Sequence, residues 1–330
     1  MTSGRTGTSG RTGTGGRTGT GKIRWLVTGA GGMLGHDLVS ALAERGHDRV
    51  TAASRSTLDI TDPAQVAALV PGHDLVVNAA AWTDVDGAEA DEAAATAVNG
   101  TAVAGLARVC AAAGAALVQI STDYVFPGTA RTPYPEDAPT RPVNAYGRGK
   151  LAGERAVREI LPGRGYVVRT GWLYGRHGGN FVATMLRLAG ERETVEVVDD
   201  QHGQPTWARA LARQLVALGE AVAAGTAPAG IYHGTAGGQT SWYGLARAVF
   251  AGARLEPGRV RPTSTGAFPR PARRPAYSVL GHARWALAGV PGQPPWPVEL
   301  AEAFRTGTFQ LPADGQRPRR PNPGGDRSIG

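Results

Sequence analysis

Near its N-terminus the 330-residue chain reads Thr28-Gly29-Ala30-Gly31-Gly32-Met33-Leu34-Gly35, and this glycine-rich segment indicates the architecture. Residues 23–27, which precede it and are apolar except for Arg24, predict a buried parallel strand. After it, leucines at positions 34, 38 and 42 recur at helical spacing. The sequence therefore predicts a strand, a glycine turn and a helix in succession.

Three glycines of this turn, Gly29, Gly32 and Gly35, lie three residues apart and form a variant of the dinucleotide-binding fingerprint. The first permits a tight turn, the second lets the backbone approach a pyrophosphate, and the third lets helix and strand pack closely. The helix N-terminus adds N–H groups and a positive dipole. A flexible turn without a ligand is the alternative. The predicted cofactor contacts here are Gly29, Gly31, Gly32, Met33 and Leu34.

The composition, with 42% hydrophobic and 19% charged residues, is typical of a folded globular protein. The formal net charge is +8, but residues 1–22 carry four basic side chains and no acidic one. The last 20 residues add a net two positive charges, so the tails account for six of the eight. The region between them is nearly neutral, which argues against nucleic acid as a partner.

Both tails have low complexity. Residues 1–21 repeat Gly-Arg-Thr-Gly-Thr three times, and we predict that they and residues 311–330 are disordered. The sequence contains neither the apolar segment of a secretory signal nor a membrane-spanning run, so we expect a cytoplasmic protein without a membrane partner. The single cysteine, Cys110, lies in an alanine-rich helical run and is predicted to be a core residue.

Between the tails we expect an α/β protein. Strands predicted at residues 49–53, 74–78 and 117–121 alternate with helices, which favours a doubly wound, Rossmann-type parallel sheet over residues 22–172. A long helix over residues 88–113 is interrupted near Asn99 and Gly100. Residues 173–310 break the alternation and predict mainly a smaller α+β substrate lobe, with segments that return to the first domain. Its predicted strands cover residues 195–198 and 230–234, and its predicted helices cover residues 180–190, 207–224 and 241–253.

The end of the second strand bears on the choice of cofactor. It reads Ser54-Arg55-Ser56, without the carboxylate that would bind a ribose 2′-hydroxyl, and Arg55 suits a 2′-phosphate. This favours NADPH, with NADH possible, whereas an ordinary surface arginine is the alternative. Small residues at the end of the third strand leave room for a ligand. The further predicted cofactor contacts are Ser54, Arg55, Asp59, Ile60, Ala79, Ala80 and Ala81.

A second signal comes from Tyr146 and Lys150, which share one face of a predicted helix because they are four residues apart. An ammonium group held close to a phenol favours the phenolate, so the tyrosine could exchange a proton near neutral pH. A surface Tyr–Lys pair is the alternative. The fourth strand delivers Thr122 to the same sheet edge, where hydroxyl, phenol and ammonium could converge on a carbonyl group.

The chain resembles the extended short-chain dehydrogenase/reductases and, within them, the dTDP-4-dehydrorhamnose reductases. The motifs that carry this resemblance include the glycine turn, the threonine at the strand end and Tyr-x-x-x-Lys. The resemblance covers roughly residues 22–305 and rests on seven motifs in order. These motifs lie at residues 78–86, 121–128, 146–154, 169–175, 180–181, 200–206 and 274–280. The resemblance implies reduction of the C4 ketone of dTDP-4-dehydro-6-deoxy-L-mannose by NADPH, giving dTDP-L-rhamnose.

The resemblance also implies roles for individual residues. Tyr146 matches the proton donor, Lys150 holds the nicotinamide ribose, and Thr122 hydrogen-bonds the keto oxygen. Asn99 matches an asparagine that supports the lysine through water. The implied substrate contacts are Thr83, Asp123, Tyr124, Trp172 and Arg274. For Arg274 the implied ligand is the diphosphate, and a structural surface arginine is the alternative.

Two positions depart from the family pattern: Gly171 replaces a usual serine, and Tyr277 stands where asparagine is common. They leave the sugar open, so a reductase of a related nucleotide-linked 4-keto-deoxysugar is an alternative. A non-catalytic NADP-binding regulatory subunit is another, although Thr122, Tyr146 and Lys150 are all retained. Asp199, Asp200 and His202 are read as a turn, so no metal site is predicted. A homodimer is possible.

Overall fold

The computed structural model describes residues 22–309, and the predictions made for residues 1–21 and 311–330 lie outside the described residues. The strands are β1 (Trp25–Thr28), β2 (Val50–Ala53), β3 (Leu75–Asn78), β4 (Ala116–Thr122), β5 (Gly165–Thr170), β6 (Leu173–Tyr174), β7 (Val195–Val198), β8 (His202–Gly203), β9 (Thr206–Trp207), β10 (Gly230–His233), β11 (Thr240–Ser241) and β12 (Val260–Thr263). The α-helices are α1 (Met33–Glu44), α2 (Pro63–Leu69), α3 (Val85–Ala90), α4 (Glu92–Thr96), α5 (Ala102–Ala113), α6 (Ala145–Ile160), α7 (Phe181–Glu191), α8 (Ala208–Ala223), α9 (Trp242–Gly252) and α10 (Trp296–Arg305). Over this part of the chain, no helix has both the length and the apolarity needed to cross a membrane.

The main sheet has six parallel strands in the order β2-β1-β3-β4-β5-β10. The direction in which the chain adds strands reverses between β1 and β3. In open α/β sheets ligands bind outside the carboxyl ends of the strands at such a switch point. The predicted doubly wound parallel sheet is therefore confirmed, and its binding edge lies where the glycine turn follows β1.

Apolar side chains cover both faces of this sheet. Along β1, Trp25 joins one core layer and Leu26 the opposite one, because successive side chains of a strand point to opposite faces. The first layer is closed by α1 and α8, through Leu38 and Leu215 among others, and the second by α2, α5 and α6. Cys110 is fully buried in the second layer, as predicted, and burial raises the pKa of its thiol to about 12.

A third core cluster gathers α7, α9 and α10 around the two-stranded sheet β7–β12. Two of its helices begin at side-chain caps. Asn180 accepts a hydrogen bond from the N–H of Ala183, and Ser241 accepts one from the N–H of Gly244. Ser241 is thus the N-cap of α9, whereas the division of the chain into two lobes stays a prediction. By contrast, α8 and β10 pack with the main sheet.

The interruption predicted near Asn99 is a π-helical turn, Ala97–Thr101, which separates α4 from α5. Helix α6 presses against this turn: a Cβ atom on Gly153 would lie 2.3 Å from the Asn99 carbonyl oxygen. Only glycine at position 153 permits that contact. The turn therefore fixes the position of α6, and π-helical turns recur at functional sites.

The third glycine of the fingerprint gives a direct test of the fold. We expect Gly35→Ala to destabilise the protein by about 1–3 kcal/mol, because its Cβ would lie 2.2 Å from the Gly29 carbonyl oxygen. The matched control is Gly105→Ala in α5, where a Cβ meets nothing within 4 Å. That change should stabilise the helix by about 0.5–1 kcal/mol. Urea unfolding of both variants measures the difference, and equal stabilities would contradict the close approach.

Candidate active site

The glycine turn forms a cradle at the carboxyl edge of β1 and β3. Gly29 has a φ of +67°, and a Cβ there would lie 2.5 Å from the Ala80 nitrogen. Helix α1 starts immediately after the turn, with no side-chain cap at Gly32 and no acidic residue in its first turn. Its N–H groups and positive end are therefore left for an anion, which is what a pyrophosphate requires.

The predicted cofactor residues that follow β2 have different surroundings. The Ser54 Cβ lies 3.6 Å from the position of a Cβ on Gly31, and Arg55 is exposed. The Asp59 carboxylate accepts hydrogen bonds from the N–H and hydroxyl of Thr61, and these bonds lower its pKa together with the charge of Arg55. Ile60 belongs to the sheet core. The structure thus places Ser54 beside the turn, Arg55 exposed next to it in the chain, and the side chain of Ile60 in the core.

The catalytic candidates meet at the end of β4. Thr122 is the last residue of that strand, and Tyr146 lies in the first turn of α6, which Asn144 caps. A Cβ on Gly147 would lie 2.3 Å from the Tyr124 carbonyl oxygen, so glycine allows the helix to start against the strand end. The Thr122 hydroxyl lies close enough to the Tyr146 phenol to lower its pKa. Hydroxyl and phenol can therefore reach the same ligand atom.

Lys150 enters the site from one helical turn further along α6. Its side chain is buried, and its Nζ donates a hydrogen bond to the Ile120 carbonyl oxygen at 2.7 Å. Burial lowers the pKa of Lys150 to about 8, against the opposing charge of Glu154. The ammonium is therefore still the main form at neutral pH.

The expectation that Lys150 lowers the pKa of Tyr146 is wrong for this structure. Burial raises the pKa of Tyr146, the negative charge of Asp123 raises it further, and only the nearby Thr122 hydroxyl lowers it. The lysine is directed to a backbone carbonyl oxygen instead. The phenol thus holds its proton at neutral pH, which is the state that a proton donor needs.

A buried hydrogen-bonded chain that the sequence did not reveal connects cofactor cradle and lysine. Thr28 donates to the Asn78 side chain, and Asn78 donates to the Gln119 side chain at 2.7 Å. Gln119 donates in turn to the Ile120 carbonyl oxygen, the acceptor of Lys150. The only sequence signal was one amide in each of two apolar strands, which does not specify a partner.

Asn99 is buried, and its side chain makes two hydrogen bonds of 3.0 Å with the backbone N–H and carbonyl of Trp82. It thereby ties the π-helical turn to the segment that follows β3. No direct bond joins this side chain to Lys150 among the described residues, so its support of the lysine through water stays a prediction.

The predicted substrate residues separate into two groups. Buried Asp123 and partly buried Tyr124 and Tyr146 lie in one cluster, since Asp123 raises the pKa of both phenols. Thr83 is exposed, and Arg274 makes a bidentate ion pair with Asp86 at 2.8 and 3.0 Å. The guanidinium group therefore has a protein partner, which corresponds to the structural alternative.

Trp172 has a φ of 49°, a conformation that a bulky residue rarely adopts. Its ring stacks on Trp242 with centroids 3.5 Å apart, and it packs against Gly203, where a Cβ would lie 2.4 Å from the indole. Trp242, which no sequence motif had selected, thus fixes Trp172, the predicted pocket residue. Strained backbone of this kind is often found at ligand sites.

A buried ion pair lies behind the catalytic residues. The Glu154 carboxylate binds Arg169 through two hydrogen bonds of 2.9 and 2.7 Å and also accepts the Ser121 hydroxyl. Both side chains are 2% exposed. Sequence patterns could not select this pair, because α6 and β5 are brought together only by the fold.

The carboxylates proposed to form a turn make local hydrogen bonds. Asp199 accepts the Ser241 hydroxyl, and Asp200 accepts both the N–H and the hydroxyl of Thr265. These bonds account for Asp199 and Asp200 without a metal ligand role.

Comparison with known proteins identifies the family. A family model described as the RmlD substrate binding domain matches residues 23–308. The chain belongs to this family. A dTDP-4-dehydrorhamnose reductase of Streptomyces griseus is 54% identical over 91% of this chain and 97% of its own length. A dTDP-4-keto-6-deoxy-D-glucose reductase of Streptomyces niveus is 51% identical over 85% and 96%, respectively.

A solved structure supports the same assignment to the RmlD family. The dTDP-4-dehydrorhamnose reductase of Bacillus anthracis in complex with NADP has a TM-score of 0.81 and 37% identity. It covers 87% of this chain and 100% of its own. The recognition made from motifs is therefore confirmed.

The two departures from the pattern expected for this RmlD-family chain have different surroundings. A Cβ on Gly171 would lie 2.6 Å from the carboxyl carbon of Asp123. The carboxylate therefore occupies space that a side chain at position 171 would fill. Tyr277 donates its hydroxyl to the Gln239 side chain at 3.0 Å.

The buried ion pair generates a stability prediction. We expect Glu154→Ala to cost about 3–5 kcal/mol in free energy of unfolding, because Arg169 would keep a buried charge without its partner. As a control, Glu191→Ala removes the exposed i,i+4 pair with Arg187 and should cost at most about 1 kcal/mol. Denaturant titration compares them, and a loss below about 1 kcal/mol for Glu154→Ala would contradict the assigned role.

Proposed function

We propose that this chain is an NADPH-dependent oxidoreductase that reduces the C4 ketone of dTDP-4-dehydro-6-deoxy-L-mannose to give dTDP-L-rhamnose. The observation that carries the proposal is the closeness of the protonated Tyr146 phenol to the Thr122 hydroxyl at the end of β4, while the buried Lys150 ammonium, one helical turn further along α6, binds the Ile120 carbonyl oxygen. That set of groups suits reduction of a carbonyl, in which the oxygen must receive a proton and be stabilised as charge develops.

The residues around the glycine turn fit NADPH. The cradle of Gly29 and Gly32, with the uncapped start of α1, suits the pyrophosphate, and exposed Arg55 suits a 2′-phosphate. When bound, the dihydronicotinamide supplies the hydride that C4 of the sugar accepts. Lys150 would hold the nicotinamide ribose, as the family resemblance implies.

The protein residues then act on the keto oxygen. Tyr146 donates its phenolic proton to that oxygen while Thr122 donates a hydrogen bond to it. The carbonyl carbon gains a hydride and its oxygen gains a proton, so the ketone becomes a secondary alcohol. Both donors bind the keto oxygen most strongly in the transition state, where negative charge develops on it. They therefore lower the activation barrier and raise kcat, rather than only lowering KM.

Further residues complete the proposed site. Asn99 would support Lys150 through water, Trp172 and Tyr124 would line the sugar pocket, and Arg274 would reach the diphosphate only if it left Asp86. The reaction uses NADPH and a nucleotide sugar, which favours the cytoplasm. The proposal includes a homodimer.

A related sugar is the second candidate, and the relative named as a dTDP-4-keto-6-deoxy-D-glucose reductase favours it. The two candidate functions are distinguished by measuring kcat/KM for NADPH oxidation with each dTDP-4-keto sugar and by identifying the products by NMR. We expect the L-manno substrate to be preferred. Preference for the D-gluco substrate would support the second candidate. NADPH binding without oxidation of either substrate would support the regulatory alternative.

Replacement of the proton donor tests the chemistry. We expect Tyr146→Phe to lower kcat by about 10²–10⁴-fold while NADPH still binds, because only the phenolic hydroxyl is removed. The control is Tyr243→Phe, whose ring lies on α9 against Arg247 and should leave kcat unchanged. Turnover of Tyr146→Phe at the wild-type rate would refute the assignment of the donor.

A further inference from the structure

The hydrogen bonds of the Thr122 hydroxyl limit what it can do. Its oxygen accepts the N–H of Tyr124 at 3.1 Å and lies 3.1 Å from the Asp123 carboxylate, to which it donates. A hydroxyl group has one proton and two acceptor positions. While Asp123 is ionised, it can only accept, so the single proton of Thr122 is engaged and cannot also be given to a keto oxygen.

A protonated Asp123 would reverse this bond. Its O–H would donate to the second acceptor position of Thr122, beside the N–H of Tyr124. The Thr122 proton would then be free for the ligand. We infer that Asp123 is a positioning residue whose protonation state decides whether Thr122 can donate a hydrogen bond to the keto oxygen. This inference rests on the proposed function and adds a form of pH control to it.

Gly171 leaves room for the Asp123 carboxylate beside the Thr122 hydroxyl. The Asp123 carboxylate lies against the face of this residue, and a Cβ would approach its carboxyl carbon and one oxygen to 2.6 Å. The Ser278 side chain lies close enough to the same carboxylate to lower its pKa. Any larger residue at position 171 would displace the carboxylate from Thr122, so the glycine found in place of the expected serine has a definite consequence.

Burial, rather than a neighbouring charge, raises the pKa of Asp123. The phenols of Tyr124 and Tyr146 lie beside it, and both are protonated because burial raises their pKa values. Arg274 and Asp86, which pair with each other, also act on Tyr124. Burial raises the pKa of Asp123 to about 6, although the nearby Ser278 and Thr122 side chains lower it.

The test is the pH dependence of kcat/KM for the dTDP-4-keto sugar in the full chain. For the wild type, kcat/KM should fall about fivefold between pH 6 and pH 7, as Asp123 loses its proton. The Asn side chain in Asp123→Asn does not titrate, and its amide N–H can donate to Thr122 at every pH, so kcat/KM should vary less than about twofold over that interval. The later fall near pH 8, set by Lys150, should remain in both.

A second variant covers the case in which Asp123→Asn does not fold. Gly171→Ala keeps the carboxylate but displaces it from Thr122, so the decrease between pH 6 and pH 7 should be lost there too. Gly190→Ala is its control, because a Cβ at that position in α7 meets nothing within 4 Å, and it should retain the wild-type profile. Melting temperature and NADPH affinity are measured for each variant.

Three results would overturn the inference. The first is that Asp123→Asn shows the same decrease in kcat/KM between pH 6 and pH 7 as the wild type. The second is that Gly171→Ala shows this decrease. The third is that kcat/KM of Asp123→Asn is about 100-fold below the wild-type value at every pH, although the variant folds and binds NADPH normally. This would mean that the ionised carboxylate is required. If the wild type itself oxidises no NADPH with the sugar, the proposed function fails instead.

Discussion

The hydrogen bond from the Lys150 ammonium to the Ile120 carbonyl oxygen determines the geometry of the site. A buried charge must be matched by an acceptor, so this bond fixes α6 against the end of β4. Tyr146 lies one helical turn before the lysine and Glu154 one turn after it. One helix face therefore presents a phenol to the ligand side, an ammonium to the strand, and a carboxylate to Arg169.

The same carbonyl oxygen is the end of a chain that begins at the cofactor cradle. Side chains of Thr28, Asn78 and Gln119 cross three neighbouring strands and end at Ile120. Every polar group in this chain is buried and paired, and such networks stabilise one arrangement against others. The part of the sheet that suits the pyrophosphate and the part that holds the lysine are thereby kept in one register, which is the preorganisation that catalysis needs.

Much of this could be predicted from the sequence because it depends on local pattern. The glycine spacing, the apolar strands and the Tyr-x-x-x-Lys spacing located β1, α1, β4 and α6 within a few residues. The partners of Asn78, Glu154 and Arg274 could not be predicted, since they depend on strand register and on loops that meet only in the folded chain. The pKa of Tyr146 was predicted in the wrong direction for the same reason: burial and Asp123 outweigh a lysine that points elsewhere.

The most direct test of the account is to follow the hydride itself. The protein is mixed with dTDP-4-dehydro-6-deoxy-L-mannose and NADPH that carries deuterium at the transferable position of the nicotinamide, and the product is examined by NMR. The account predicts deuterium on C4 of the sugar in dTDP-L-rhamnose, in equal amount to the NADPH consumed. Deuterium at another carbon, or NADPH consumption without label in the sugar, would contradict it.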